Sequence, residues 1–371
     1  MTPLERFDAM MEYQPLDRLP NWELGAWPQA RQRWADEGLA AERREGDWFS
    51  GLPALGMDPK IFAPIDFHLR PPFAREVLEE DERHEVVRNH KGVVTRALKT
   101  GAVGGGRACM DQYLRFPVEN LADFEQLRQR FDPHTPGRYP DNWDALVAAW
   151  RQRDCPLVLG RNCSAGFYWN AREWMGTEGL SLALYDQPAL IEAMMEFLAD
   201  FVIELTARAR RDITFDYFCL NEDLAFKSGP LISPAQYRRF IVPPMTRLID
   251  ELKRHGVRYV CLDTDGTPEP LIPLMMEAGV DILWPLERAS EGVDPAAMRR
   301  RYGRQLRLWG AVDKREIARG PAAIDAHLAS LRPMVADGGF VPHLDHTFPP
   351  DISRADFEYY LERKEALLVG S

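Results

Sequence analysis

Short apolar runs alternate with longer helical periodicities through the second half of the chain. The runs at 215–220, 257–262, Ile282–Leu286, 306–311 and 339–344 are rich in aromatic and aliphatic residues. Their apolar character is nearly continuous, as expected of strands covered on both faces. Helical patterns separate them. One begins after Ser233-Pro234, a capping residue followed by the proline that suits a first helical turn. Another covers 268–278 and stops at Gly279; a third starts at Asp294; two more reach Ala336; a last one covers 352–368. Strand followed by helix, repeated, predicts βα units and a parallel sheet.

The first half is less regular. Residues 18–24, 62–67 and 156–160 read as strands and 180–208 carries helical periodicity, which brings the strand candidates to eight. Eight strands alternating with helices predict an α/β fold, a (β/α)8 TIM barrel. One stretch breaks the alternation. Residues 85–96 form two alternating runs around a turn at Asn89 to Gly92, which predicts a β-hairpin inserted in the N-terminal half, at about residues 85–100. The Gly-rich segment 101–106 lacks the Lys-Ser/Thr of a phosphate loop and reads as a loop. No repeat or linker divides the chain, so a single domain over 1–371 is expected.

Charge removes two partner classes. Lys and Arg number 46 against 57 Asp and Glu, for a net charge of −11. Neither a nucleic acid nor an anionic membrane suits that balance, and there is no basic stripe to offset it. The nearest basic cluster, Arg299, Arg300, Arg301 and Arg304, falls on a predicted helix. Residues 1–11 read as an amphipathic helix rather than a signal peptide, and no apolar run approaches the roughly 18 residues of a membrane span. Cys109, Cys155, Cys163, Cys219 and Cys261 are scattered without a CxxC pair, which suits a reducing compartment; a cytoplasmic protein is expected.

Chemistry should collect where barrel strands end. The residues just past the predicted strands are mostly acidic: Glu222 and Asp223, Asp263 and Asp265 with Gly266, Glu287, Asp313 beside Lys314, and Asp345 beside His346. Converging carboxylates are tolerated only around a cation, a proton or a basic partner. Asp263 and Asp265 leave one strand two residues apart and so project to one side. With His346 they make a donor set suited to Zn, Mn, Fe or Mg. Asp-Thr-Asp-Gly is equally a good turn whose carboxylates could cap the next helix. Glu222, Asp223 and Glu287 are the candidates to position substrate or take a proton. Trp22, Cys163, Tyr168 and Lys227 are the candidate substrate contacts, with Trp27, Phe167 and Trp169 adding aromatic mass near the mouth. His343 faces either the barrel interior or its outer wall, with core packing at least as good a reading, and Cys261 reads as a small buried hydrophobe. Acyl-transfer hydrolysis has no support, because no G-x-S-x-G elbow is present.

A set of stretches adds a family resemblance: EDLAFKSGPLISP at 222–234, DTDG at 263–266, EAGVDILWP at 277–285, GAVDK at 310–314 and GGFVPHLDH at 338–346, with TPLERFDAM at 2–10 and PLDRLP at 15–20. Together they resemble the uroporphyrinogen decarboxylase superfamily, which spans tetrapyrrole decarboxylases and corrinoid- or thiol-dependent methyltransferases. The resemblance implies a (β/α)8 barrel with a deep cleft at its C-terminal face. The decarboxylases carry an Arg-rich stretch soon after the first strand. Here that place, residues 21–27, reads NWELGAW, with no arginine before Arg31. The methyltransferases hold zinc on a His-x-Cys pair and a later Cys; Asp263 and Asp265 fall on the first two positions and His346 on the third. The resemblance therefore implies a metal-dependent methyltransferase or demethylase, with zinc the foremost metal. It also implies a small molecule as substrate and a corrinoid protein as a possible partner. A cofactor-free decarboxylase of a tetrapyrrole or smaller carboxylic acid is the alternative. A homodimer is a further expectation.

Overall fold

In the computed structural model, which describes residues 1–99, 102–103, 106–107, 111–161 and 165–369, the apolar runs assemble into one seven-stranded sheet. In chain order the strands are β1 (Ile61–Phe62), β2 (Leu157–Leu159), β3 (Phe215–Asn221), β4 (Val257–Asp263), β5 (Ile282–Leu286), β6 (Arg307–Val312) and β7 (Phe340–Leu344). Each pairs in parallel with the next, so spatial order follows chain order. Every residue of β2, β3, β5 and β7 is buried, which accounts for their unbroken apolar character. The result is an α/β fold of TIM-barrel type. No helix of the described residues is long and apolar enough to cross a membrane.

The expected first strand, 18–24, lies outside this sheet. The segment is extended, but its pairing reduces to one parallel bridge, Ala26 with Phe348. Around that bridge the Trp27 N–H donates to Phe348 O at 3.0 Å and the Phe348 N–H to Gly25 O at 2.9 Å. A side chain replaces the rest of the ladder. The Leu344 N–H of β7 donates to a carboxylate oxygen of Glu23 at 2.9 Å. The other Glu23 oxygen accepts from Tyr360 Oη and from Lys364 Nζ, both at 2.6 Å. Lys364 also donates to Trp22 O at 2.6 Å, so helix Arg354–Leu368 fixes the segment against the sheet.

The expected hairpin forms: His84–Arg88 and Val94–Leu98 pair antiparallel, Val87 opposite Thr95. Glu76–Glu80 and Gln112–Arg115 extend it to four strands. Of the Gly-rich stretch expected to form a loop, residues 101, 104 and 105 lie outside the described residues, and Ala102–Val103 pairs antiparallel with Gly106–Arg107. The helical stretch 180–208 is two helices, Tyr168–Asp186 and Pro188–Asp212. Pro188 causes the break, since the residue before a proline is pushed out of helical geometry, as Gln187 is at φ −132°, ψ 55°.

Lys364 and Glu23 are both almost fully buried. Removing one partner of a buried pair strands the other charge, so Lys364→Met is expected to lower unfolding free energy by about 3–5 kcal/mol in a urea titration. A change below about 1 kcal/mol would remove this pair from the supports of the fold.

Candidate functional site

Alternate residues of a strand face one side, and neighbouring strands here are in register. Tyr217, Cys219 and Asn221 of β3 therefore stand level with Tyr259, Cys261 and Asp263 of β4. Trp284 of β5, Trp309 of β6 and His343 of β7 join Tyr217, Cys219 and Cys261 around the lumen. Above the strand ends opens a cleft of about 450 Å³. Asp223, Asp263, Asp265 and His346 line it together with Trp169 and Arg161. Four of the expected acid and imidazole side chains thus meet at one mouth.

Their pairings differ. Asp265 and His346 stand 3.5 Å apart, carboxylate oxygen to Nε2, and the other ring nitrogen lies 2.9 Å from Thr347 Oγ1. Asp265 raises the His346 pKa above its ordinary value, with burial opposing. Asp223, left-handed at φ 38°, is ion-paired with Arg172, which also donates to the Asp223 carbonyl at 3.0 Å. Burial raises the Asp223 pKa and Arg172 opposes it. Asp263 has no such partner. It is 7% exposed, and among the described residues its Oδ2 makes no hydrogen bond. Burial, then Cys219, Asp265 and Asp223, push its pKa well above the usual carboxylate range. The neutral acid is therefore the favoured form.

Gly266 shapes this rim. Its φ is +77°, and a Cβ there would lie 2.7 Å from the Ala225 and Phe226 backbone. Close approach by chain rather than by ligand explains this glycine.

The other expected site residues lie elsewhere. Glu222 is fully buried, and its two oxygens accept the Phe167 and Tyr168 N–H groups at 2.9 and 2.6 Å, where helix Tyr168–Asp186 begins. Burial pushes it up to about 7 while those N–H groups pull it down. This is an anchor for the helix start. Tyr168 is 1% exposed, with burial pushing its hydroxyl up to about 12. Glu287 is held by Lys314 Nζ at 2.9 Å and by the Gly266 N–H at 3.0 Å. Trp22 lies deeper, in the lumen. Lys227 is exposed and outside the cleft lining, and Cys163 lies outside the described residues. His343 is core, as expected: Trp284 Nε1 donates to its Nε2 at 2.9 Å, and burial pushes it down to about 3.

The donor set does not fit a metal ion. Among the described residues, no three His, Cys, Asp or Glu side chains are grouped to hold one. Asp265 and His346 pair with each other.

Lys60 is a site residue that sequence reasoning does not find. It is 9% exposed at the entry to β1, with its Nζ 4.3 Å above the Trp22 ring. Its only signal in the sequence is a lone charge ahead of an apolar run, which reads as a surface residue. Arg161 is another; its guanidinium meets Asp47 at 3.0 and 2.7 Å.

The His346–Asp265 pair has a checkable sign. Because the folded pKa is raised, the pair's contribution is complete below the unfolded value of about 6.5 and is lost as pH rises through the folded value. NMR titration should place the His346 midpoint above about 6.5, and Asp265→Asn should bring it down. An unmoved midpoint in that variant would refute the pairing.

Comparison with known proteins agrees with the architecture. The family model described as Uroporphyrinogen decarboxylase (URO-D) matches residues 117–365. The uroporphyrinogen decarboxylases of Hydrogenovibrio crunogenus and Nocardia farcinica are 26% and 29% identical over 260 and 242 residues, or 64% and 63% of this chain. The chain spans just under two thirds of those relatives, 66% and 65% of their length. Against the Pseudomonas paraeruginosa enzyme it is 25% identical over 384 residues, covering 96% of this chain and 95% of the relative. A solved methyltransferase from Methanosarcina mazei superposes with a TM-score of 0.59 over 99% of both chains at 15% identity, a likeness of fold. With a family model covering most of its length and the parallel sheet in place, the chain belongs to the uroporphyrinogen decarboxylase family, as a divergent member.

Proposed function

We propose that this chain is a small-molecule methyltransferase or demethylase in which Asp263 is the acid. The observation that carries the reading is the buried Asp263 Oδ2 on the cleft, which has no hydrogen-bond partner among the described residues. When a methyl group leaves an oxygen or nitrogen, the C–O or C–N bonding electrons stay on that atom. A neutral Asp263 would protonate the atom as the bond breaks, and the adjacent Asp265–His346 pair would return the proton. The methyl acceptor would be a corrinoid carried by a separate protein, which supplies the nucleophile. A divalent metal, zinc foremost, serves this chemistry in the resembling methyltransferases; with Asp265 and His346 already paired, the protonated acid is the preferred device here.

Two features argue against a tetrapyrrole substrate. A cleft of about 450 Å³ suits a small ligand. Its lining arginine, Arg161, is already paired with Asp47, and Arg172 is paired with the lining Asp223, which leaves little for a polycarboxylate. Decarboxylation of a smaller acid is a second reading, favoured by the names of the relatives. Asp263 would then protonate the carbanion left by CO2.

The test is a panel of methylated small molecules incubated with reduced cobalamin, read by formation of methylcobalamin. A parallel panel of carboxylic acids is assayed for CO2. Asp263→Asn is expected to lower kcat by about a hundred- to ten-thousand-fold. Wild-type activity should fall as pH rises through the Asp263 pKa, since only its protonated form donates. Full activity in Asp263→Asn would end the proposal.

A further inference from the structure

Lys60 is the buried charge that the acids of the cleft do not explain. Its amine makes no hydrogen bond or ion pair among the described residues; its contacts are the faces of Trp22 at 4.3 Å and Phe62 at 5.8 Å. The groups around it do not neutralise it. Burial holds the Tyr217 hydroxyl and the Cys261 thiol well above their ordinary pKa values, so both stay uncharged. Cys219 lies against Cys261. The carboxylate whose field reaches Lys60, Asp47, is already paired with Arg161 at 2.7 Å. His343, which lines the same space, is neutral. Burial pushes the Lys60 amine down to about 8, so the cation persists at neutral pH, held by ring faces alone.

We propose that Lys60 is the receptor for the anionic head, a carboxylate, of the substrate whose reacting end meets Asp263. The inference rests on the cleft being the substrate site, as argued above. The free space in the lumen is about 20 Å³, enough for a water-sized head group and too small for a whole ligand. That space shares Leu24, Phe49 and Trp284 with the larger cleft. A ligand can therefore put its body between apolar and aromatic walls and its head on the lysine. Cys261, beside Lys60, precedes Asp263 by two residues on β4, a rise of roughly 7 Å. The substrate class that fits is a small monocarboxylate with a flat or short apolar body. Its acid head is separated from its reacting atom by about that distance. A polyanion would leave its remaining charges among the acids of the mouth.

Binding can be measured without turnover. Isothermal titration of the full chain with benzoate and with its neutral isostere benzamide is expected to show benzoate binding at least tenfold tighter. Lys60→Met should abolish that preference while far-UV CD and Tm confirm that the variant is folded. The benzoate–benzamide comparison on the unmodified protein stands even if the variant does not fold. Equal binding of the two probes, or an unchanged benzoate affinity in folded Lys60→Met, overturns the assignment. Discrimination by charge without methyl transfer or CO2 release keeps Lys60 as the anchor and removes the reaction proposed for the cleft. Equal binding with turnover does the reverse.

Discussion

The Glu23 carboxylate holds together everything the cleft depends on. The parallel sheet has an open flank beside β7, and the extended segment at 20–26 covers it without joining the ladder. Glu23 does what backbone pairing would otherwise do. It accepts the Leu344 N–H on one side and Lys364 and Tyr360 on the other. A carboxylate buried this deeply is stable only with every lone pair engaged. The same lysine grips the Trp22 carbonyl. Trp22 then packs edge-on against Trp309 at 5.2 Å and offers its face to Lys60. The position of the lumen cation thus depends on one ion pair at the barrel wall.

Compensation of charge separates structural from chemical acids in this molecule. Asp345 is fully buried, but the Lys314 and Ala289 N–H groups and the Lys314 amine surround it. Glu287 shares that lysine. Glu222 has two N–H groups, Asp223 has Arg172, and Asp265 has His346. Each is accounted for by packing. Among the described residues, Asp263 alone of these acids keeps a buried oxygen without a partner. A group left in that state either takes up a proton or waits for a ligand, which is why the proposed chemistry rests on Asp263.

The sequence carries the architecture well where the physics is local. Continuous apolar runs mark β3 to β7 because a two-sided burial leaves no polar alternation to misread. The hairpin at His84–Arg88 and Val94–Leu98 is legible from its Asn-to-Gly turn. The flank segment is misleading because Glu23 sits inside an apparent strand and its pairing is made by a side chain. Asp263, Asp265 and His346 can be brought to one mouth from strand ends alone. Whether they bond to one another, to a helix start or to nothing depends on long-range neighbours such as Arg172 and Phe167. Glu222 shows this: next to Asp223 in sequence, it points to a different helix and does a different task. Lys60 is illegible for the same reason, because nothing near it in sequence reports the aromatic face of Trp22.

The vertical order of charge narrows the chemistry further than the family does. A carboxyl that burial favours in its neutral form sits at the top of β4, and an ammonium held by aromatic faces sits one layer below, beside the Cys261 thiol that burial keeps uncharged. That arrangement stabilises negative charge at two heights: a permanent one at the lysine, and one that develops beside Asp263 and is quenched by its proton. Methyl departure from an oxygen and loss of CO2 both generate such a transient anion, so one scaffold can host either reaction with little change. What distinguishes them is which end of the substrate carries the permanent anion. If the carboxylate rests on Lys60, it is stabilised in the ground state and resists leaving as CO2, while the opposite end is delivered to Asp263. On the proposed placement of the carboxylate, a single buried amine weighs against decarboxylation and in favour of group transfer at the far end of the ligand.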